Sequence, residues 1–202
     1  MYTADLADLT AKHGVALYAF ADDTQLYIHC EFHNMEEPST LIHAFVFSRI
    51  YYYNCLMAGA PKKWTEKLQW VMNAAARILT RTKKYDRGLT RMLHDELHWL
   101  DVPERILLKL CVHVYKCLHG IAPKFMMDLC RPVSAIEERS QLRSAARGQL
   151  DVPRPKLSTY GRRAFSYAGQ SAWNSLPNYL KDSSLILVMF QRSLKTFSFS
   201  KY

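Results

Sequence analysis

The hydrophobic period changes once along this chain, and that change fixes most of what it can build. Two short runs, residues 15–21 (VALYAFA) and 24–32 (TQLYIHCEF), are rich in β-branched and aromatic residues, a composition that suits a pleated strand. They flank Asp22-Asp23, so they read as a hairpin with both aspartates at its tip. From residue 41 onward the apolar residues recur at helical spacing instead. A two-stranded hairpin is marginal in water. A chain with only two clear strands must therefore build its core from helices, and the expected fold is mainly α with a short β-hairpin.

Punctuation residues place the elements. Ahead of the hairpin, Leu6 and Leu9 with Ala4 and Ala7, Thr3 as N-cap and Gly14 beyond the end predict a short helix over 2–12. Residues 33–40 (HNMEEPST) are polar and contain Pro38, the expected boundary. Ser39 or Thr40 then caps a helix through 41–57, ended by Gly59 and Pro61. A second helix over 64–80 shows the stripe Leu68, Val71, Ala75, Ile78 and Leu79, and a basic loop (81–88) and a short helix (89–97) follow. Pro103 and Gly120 bracket the next helix, with proline inside its start and glycine past its end. One or two further turns are expected over 124–130. Residues 131–158 are polar with Pro132, Pro153 and Pro155, and predict loop. Residues 160–174 read as helical or mixed, and 185–199 as an amphipathic helix. Trp64, Trp70, Trp99 and Trp173 read as core anchors. The expected parts are 1–38, 39–130 and 131–202.

Composition narrows the class. The 202 residues are 49% apolar and 22% charged, with seven glycines and eight prolines, which fits a folded chain and excludes collagen-like or linker sequences. The longest strongly apolar run, Leu185–Phe190, is far short of the roughly 20 residues of a membrane span. Asp5 and Asp8 stand where a secretory signal is basic and then apolar. Five cysteines, an odd number without a CxxC pair, fit a reducing compartment. An intracellular location, nuclear or cytoplasmic, and no membrane partner are expected. The net charge of +9 is uneven: residues 1–40 hold one base and seven acids, a net of −6, while the other 26 bases and 11 acids give +15. A basic body of that size points to a polyanion, most simply nucleic acid, or to a solvated basic surface.

The sharpest local signal is Phe20-Ala21-Asp22-Asp23. Adjacent carboxylates repel unless a cation lies between them, and phosphoryl-transfer enzymes use such groups to hold paired Mg²⁺ ions. An ordinary Asp-rich turn is the alternative. His94 and His98 are spaced i, i+4 as a helical zinc pair is, but Asp95 stands where the metalloprotease pattern has glutamate, and a packing role is expected. Cys111, His113, Cys117 and His119 share one predicted helix, on which only His113 and Cys117 are spaced to meet. Buried cysteines usually just pack.

The flanks of Asp22-Asp23 carry more. MYTADLADLTAKHGVALYAFADDTQLYI closely resembles the stretch around the Asp-Asp hairpin of reverse transcriptases from non-LTR, LINE-type (jockey-like) retrotransposons. Independently, LIHAFVFSRIYYYNCLMAGAPKKWTEKLQWVMNAAARILTRTKKYDR, LHWLDVPERILLKLCVHVYKCLHGIAPKFMMDL, STYGRRAFSYAGQSAWNSLP and SLKTFSF resemble the C-terminal region of the same polyproteins, in the same order. The resemblance implies that residues 1–38 are a remnant of a reverse-transcriptase palm, joined to an α-helical C-terminal region. It implies RNA-directed DNA polymerase ancestry, with Asp22 and Asp23 as the catalytic, Mg²⁺-binding pair. The family's third aspartate, fingers and Gly-rich nucleotide loop have no counterpart here, and HNMEEPST replaces the long segment that completes the palm. The resemblance therefore implies an N-terminally truncated, internally deleted copy that is inactive as an isolated chain and holds no Mg²⁺ stably. Asp5 and Asp8 are not placed to substitute for the lost carboxylate.

The alternative is a non-catalytic basic helical module that binds RNA or single-stranded DNA. Arg77, Arg81, Lys83, Lys84, Arg87 and Arg91 cluster at the end of the second helix. Arg154, Lys156, Arg162 and Arg163 lie near Tyr160, Phe165 and Tyr167. Bases interleaved with aromatics suit phosphate contact plus base stacking. In the family, the region after the polymerase is expected to help bind the element's RNA.

Overall fold

Extended and helical segments separate along the chain as the change of period predicts. A computed structural model describes residues 16–20, 23–27, 36–83, 85–155, 157 and 160–202, with side chains from Ser39 onward except Tyr53. The helix expected over 2–12 lies outside the described residues. The chain forms two units, Met1–Ala44 and Phe45–Tyr202.

In the first unit, β1 (Ala16–Phe20) pairs antiparallel with β2 (Asp23–Tyr27), in the register Ala16↔Tyr27 through Phe20↔Asp23. Among the described residues this is a two-stranded sheet. Helix α1 (Glu36–Ile42) starts ahead of Ser39 and Thr40, so neither caps it. Glu36 and Glu37 sit in its first turn, where negative charge suits the helix dipole, and Pro38 is tolerated there because its missing N–H has no partner to lose. A π turn over His43–Phe47 spans the boundary, and the second unit opens with α2 (Ser48–Tyr53) and a 3-10 turn, Asn54–Met57.

The second unit is helical. Its long helices are α3 (Lys62–Thr80) and α5 (Val102–Leu118), separated by the short α4 (Leu89–Arg91) and a π turn over Met92–Glu96. After α5 come two single-turn helices, α6 (Lys124–Met127) and α7 (Arg143–Ala146), then α8 (Phe165–Asn174) and α9 (Leu187–Phe199). Pro103 lies in the first turn of α5, and Gly120 follows its end at φ +69°. Helix α3 ends instead on Arg81 at φ +55°, a left-handed position that glycine usually fills.

Helix α5 is the centre. It buries Val102, Ile106, Leu110, Cys111, Val114 and Tyr115 against α8, α9 and α3. Phe190 of α9 is fully buried, stacked on Tyr115 with centroids 4.6 Å apart, and Trp173 of α8 lies 5.8 Å from it. The Tyr115 hydroxyl donates to the Leu185 carbonyl. Close approach of α8 needs Gly169: a Cβ there would stand 2.9 Å from Phe165 Cε2 and 3.1 Å from Val114 Cγ2. A second cluster sets Phe47 edge-on to Trp99 at 4.4 Å, with the Arg105 guanidinium 4.5 Å over the Phe47 ring. Burial lowers the Arg105 pKa to about 10.

The polar stretch after α6 is irregular but pinned. Val133 N–H donates to Gln149 and Asp151 N–H to Arg131, making a bridge between Pro132 and Leu150. Asn174 then pairs with both backbone groups of Leu150 at 2.8 Å. The Trp173 indole donates to the Gly148 carbonyl.

Two expectations are corrected. Trp99 and Trp173 are core residues, but Trp64 is 52% exposed and Trp70 67% exposed. The buried face of α3 is Met72, Ala75, Ala76 and Leu79, so of the expected stripe Ala75 and Leu79 are buried while Val71 and Ile78 stay about half exposed. The two small alanines let α3 and its neighbours approach closely, and bulky Trp64 and Trp70 fall on other faces.

Candidate nucleic-acid interface

Of the Asp-Asp pair, Asp22 lies outside the described residues, and Asp23 opens β2 opposite Phe20. Among the described residues no group of three or more His, Cys, Asp or Glu side chains is placed to hold a metal ion. The described strands bring no further carboxylate beside Asp23.

The bases at the end of α3 are gathered by a loop. Arg81 and Lys83 are exposed, as are Arg87 and Tyr85, the last 86% exposed. Lys83 N–H donates to Asp86 Oδ2 at 2.8 Å and Asp86 N–H returns to the Lys83 carbonyl, a side-chain-closed turn typical of aspartate. Tyr85 lies within this turn, between Lys83 and Arg87 in the sequence. Arg91 is exposed but 3.1 Å from Asp95, a surface pair worth about 0.5 kcal/mol or less. Arg77 is half-buried, and among the described residues its enclosed Nε has no hydrogen-bond partner, so it contributes packing as well as charge. Lys84 lies outside the described residues.

The second basic cluster is divided. Arg162 is exposed on a 3-10 turn, Gly161–Arg163, before α8. Arg163 is half-buried and structural: its Nη2 donates to the Leu56 carbonyl at 3.3 Å, and its Cγ lies 3.3 Å from where a Cβ on Gly59 would stand. Tyr160 and Arg154 are exposed, whereas Phe165 packs edge-on to His113. Lys156 lies outside the described residues.

The histidine and cysteine pairs resolve into packing. His94 is buried, stacked on Tyr202 at 3.6 Å, with Nε2 3.5 Å from Asp101 Oδ1. His98 is exposed at φ +50°, its Nδ1 on the His94 carbonyl. His113 spends Nδ1 on the Lys109 carbonyl at 2.7 Å, and Cys117 is hydrogen-bonded to Cys130 rather than meeting His113. Burial pushes the Cys111 and Cys130 thiols up to about 12, which leaves both protonated and poorly nucleophilic at neutral pH. No helix of the described residues is long and apolar enough to cross a membrane.

Sequence reasoning missed Tyr85 as the aromatic of the first cluster, although its place inside RTKKYDRG was the available signal. Comparison with protein-family models, with curated proteins and with solved structures gives no match.

Proposed function

We propose that this chain is a non-catalytic fragment derived from a LINE-type reverse transcriptase, and that it binds RNA or single-stranded DNA through the loop between α3 and α4. The observation that carries the binding is the exposure of Arg81, Lys83, Tyr85 and Arg87 along one short loop. Three cations track phosphates, and an outward phenol ring offers one base a stacking surface. The net +15 of residues 41–202 supports it, and the quoted resemblance supports the ancestry. Arg162 extends the basic surface; Arg163 is partly committed to the fold.

The experiment is a titration of labelled single-stranded RNA against salt. The log of affinity falls linearly with the log of salt, and Arg81→Ala with Lys83→Ala and Arg87→Ala flattens that slope by about 2. Tyr85→Ala weakens binding by about 1–3 kcal/mol without changing the slope. Salt-independent binding, or a triple variant that binds like the parent, defeats the reading. Primer extension on an RNA template tests the enzyme side: extension abolished by Asp22→Asn with Asp23→Asn would show an active polymerase, and the expected result is no extension by the parent chain.

A further inference from the structure

The exposed side of α3 is itself patterned. Trp64, Leu68, Val71, Ala75 and Ile78 are spaced 4, 3, 4 and 3 residues apart, the rhythm of a helix seam that receives a second helix. Only Ala75 is buried; Trp64, Val71 and Ile78 are each about half exposed, at 52%, 48% and 49%. The stripe runs about 21 Å along α3 at 1.5 Å per residue. Its first half opens into a groove of about 520 Å³ between α3 and the segment running from Phe45 to Met57. Phe45, Ile50, Met57, Leu68 and Val71 line it beside Trp64.

The two charged residues that line this groove, Arg49 and Lys67, are cationic and exposed. Lys67 Nζ sits 4.9 Å over the Trp64 ring, which holds its charge beside the apolar wall. Among the described residues no acidic side chain lines the groove. An apolar floor with a cationic rim fits an amphipathic helix whose apolar ridge is flanked by Asp and Glu. A second copy seated here in a two-fold arrangement brings its own Arg49 and Lys67 against the same rim, which like charges oppose. A nucleic-acid strand would satisfy the rim but leave the aliphatic floor unmatched. We infer that the groove between α3 and the Phe45–Met57 segment is a docking site for an acidic amphipathic helix of a partner protein, a role separate from the α3–α4 loop.

The probe is a synthetic 20-residue helical peptide with leucines in a/d spacing and glutamates on both flanks, compared with the same peptide carrying lysines in place of the glutamates. Expected is saturable 1:1 binding of the acidic peptide to the full chain, read by Trp64 fluorescence and lost in Trp64→Phe. Val71→Glu lowers affinity by about tenfold or more, as loss of a central anchor does, and leaves RNA binding unchanged. Arg49→Glu with Lys67→Glu reverses the preference between the two peptides. All of these side chains reach solvent, and circular dichroism confirms that each variant folds. No binding up to about 0.1 mM, the weak end for a specific site, overturns the inference. So do equal affinities for the two peptides, displacement of the peptide by single-stranded RNA, or a parent chain that sediments as a dimer which Val71→Glu converts to monomer.

Discussion

Gln69, on α3, caps the N-terminus of α5 at Val102. Its Oε1 accepts the Val102 N–H at 2.9 Å, while its Nε2 donates to Asp101 Oδ1 at 2.8 Å. Asp101 stands at the N-cap position but makes no side-chain bond to its own helix, so the cap is supplied from 33 residues away. Asp101 N–H is met by the Tyr202 hydroxyl at 3.0 Å. Two orphan donors of the central helix are thus satisfied by tertiary structure.

Gln69→Ala leaves the N–H of fully buried Val102 unpaired. A buried donor without a partner costs about 1–3 kcal/mol, which urea denaturation reads directly. Gln69→Glu keeps the acceptor but faces Asp101 with a second carboxylate, and recovers only part of the loss at pH 7.

Gly169→Ala tests the contact between α8 and α5. The added methyl meets the Phe165 ring and Val114, and overpacking of this kind costs about 1–3 kcal/mol. On an exposed helical site the same substitution stabilises by up to about 1 kcal/mol, so the sign of the change in denaturation midpoint decides.

Asn54 is fully buried, and among the described residues neither its amide nitrogen nor its oxygen has a hydrogen-bond partner. Asn54→Leu, of similar volume, removes that desolvation cost, and the melting temperature rises by an amount equivalent to about 1–3 kcal/mol. Asn54→Asp, which buries a charge at the same place, lowers it.

The buried thiols set an alkaline limit. The folded-state pKa values of Cys111 and Cys130, raised by burial, stand near 12 against 9 for an exposed thiol. Below pH 9 both states keep the proton and the thiols contribute no pH dependence. Between pH 9 and about 12 the unfolded state loses protons that the folded state retains, so stability falls as pH rises, by up to about 1.4 kcal/mol per thiol per pH unit. Denaturation midpoints at pH 8 and 10 show the fall, and Cys111→Ala with Cys130→Ala reduces it.

Much of the helical layout was written in punctuation. Pro103 and Gly120 marked the central helix, and the run from Leu185 marked the last, because proline and glycine act locally through φ. The start of α1 was misplaced because Glu36-Glu37 can open a helix as well as Ser39 can cap one. Which face of α3 would be buried was not legible: Trp64, Leu68, Val71 and Ile78 make a better apolar stripe than Met72, Ala75, Ala76 and Leu79. The choice went to the face that allows close packing, a property of the neighbours rather than of α3. The basic residues were visible in the sequence, but not that Arg163 binds the Leu56 carbonyl while Arg162 does not share that bond.

The pairing of Asn174 with Leu150 ties a segment without regular structure to a helix 24 residues further on. Both backbone groups of Leu150 are sealed by one side chain, so that part of the loop cannot open while α8 stays folded in place. Loop and helix make one cooperative unit, and the amide proton of Leu150 exchanges with solvent on the helix's clock rather than on a loop's.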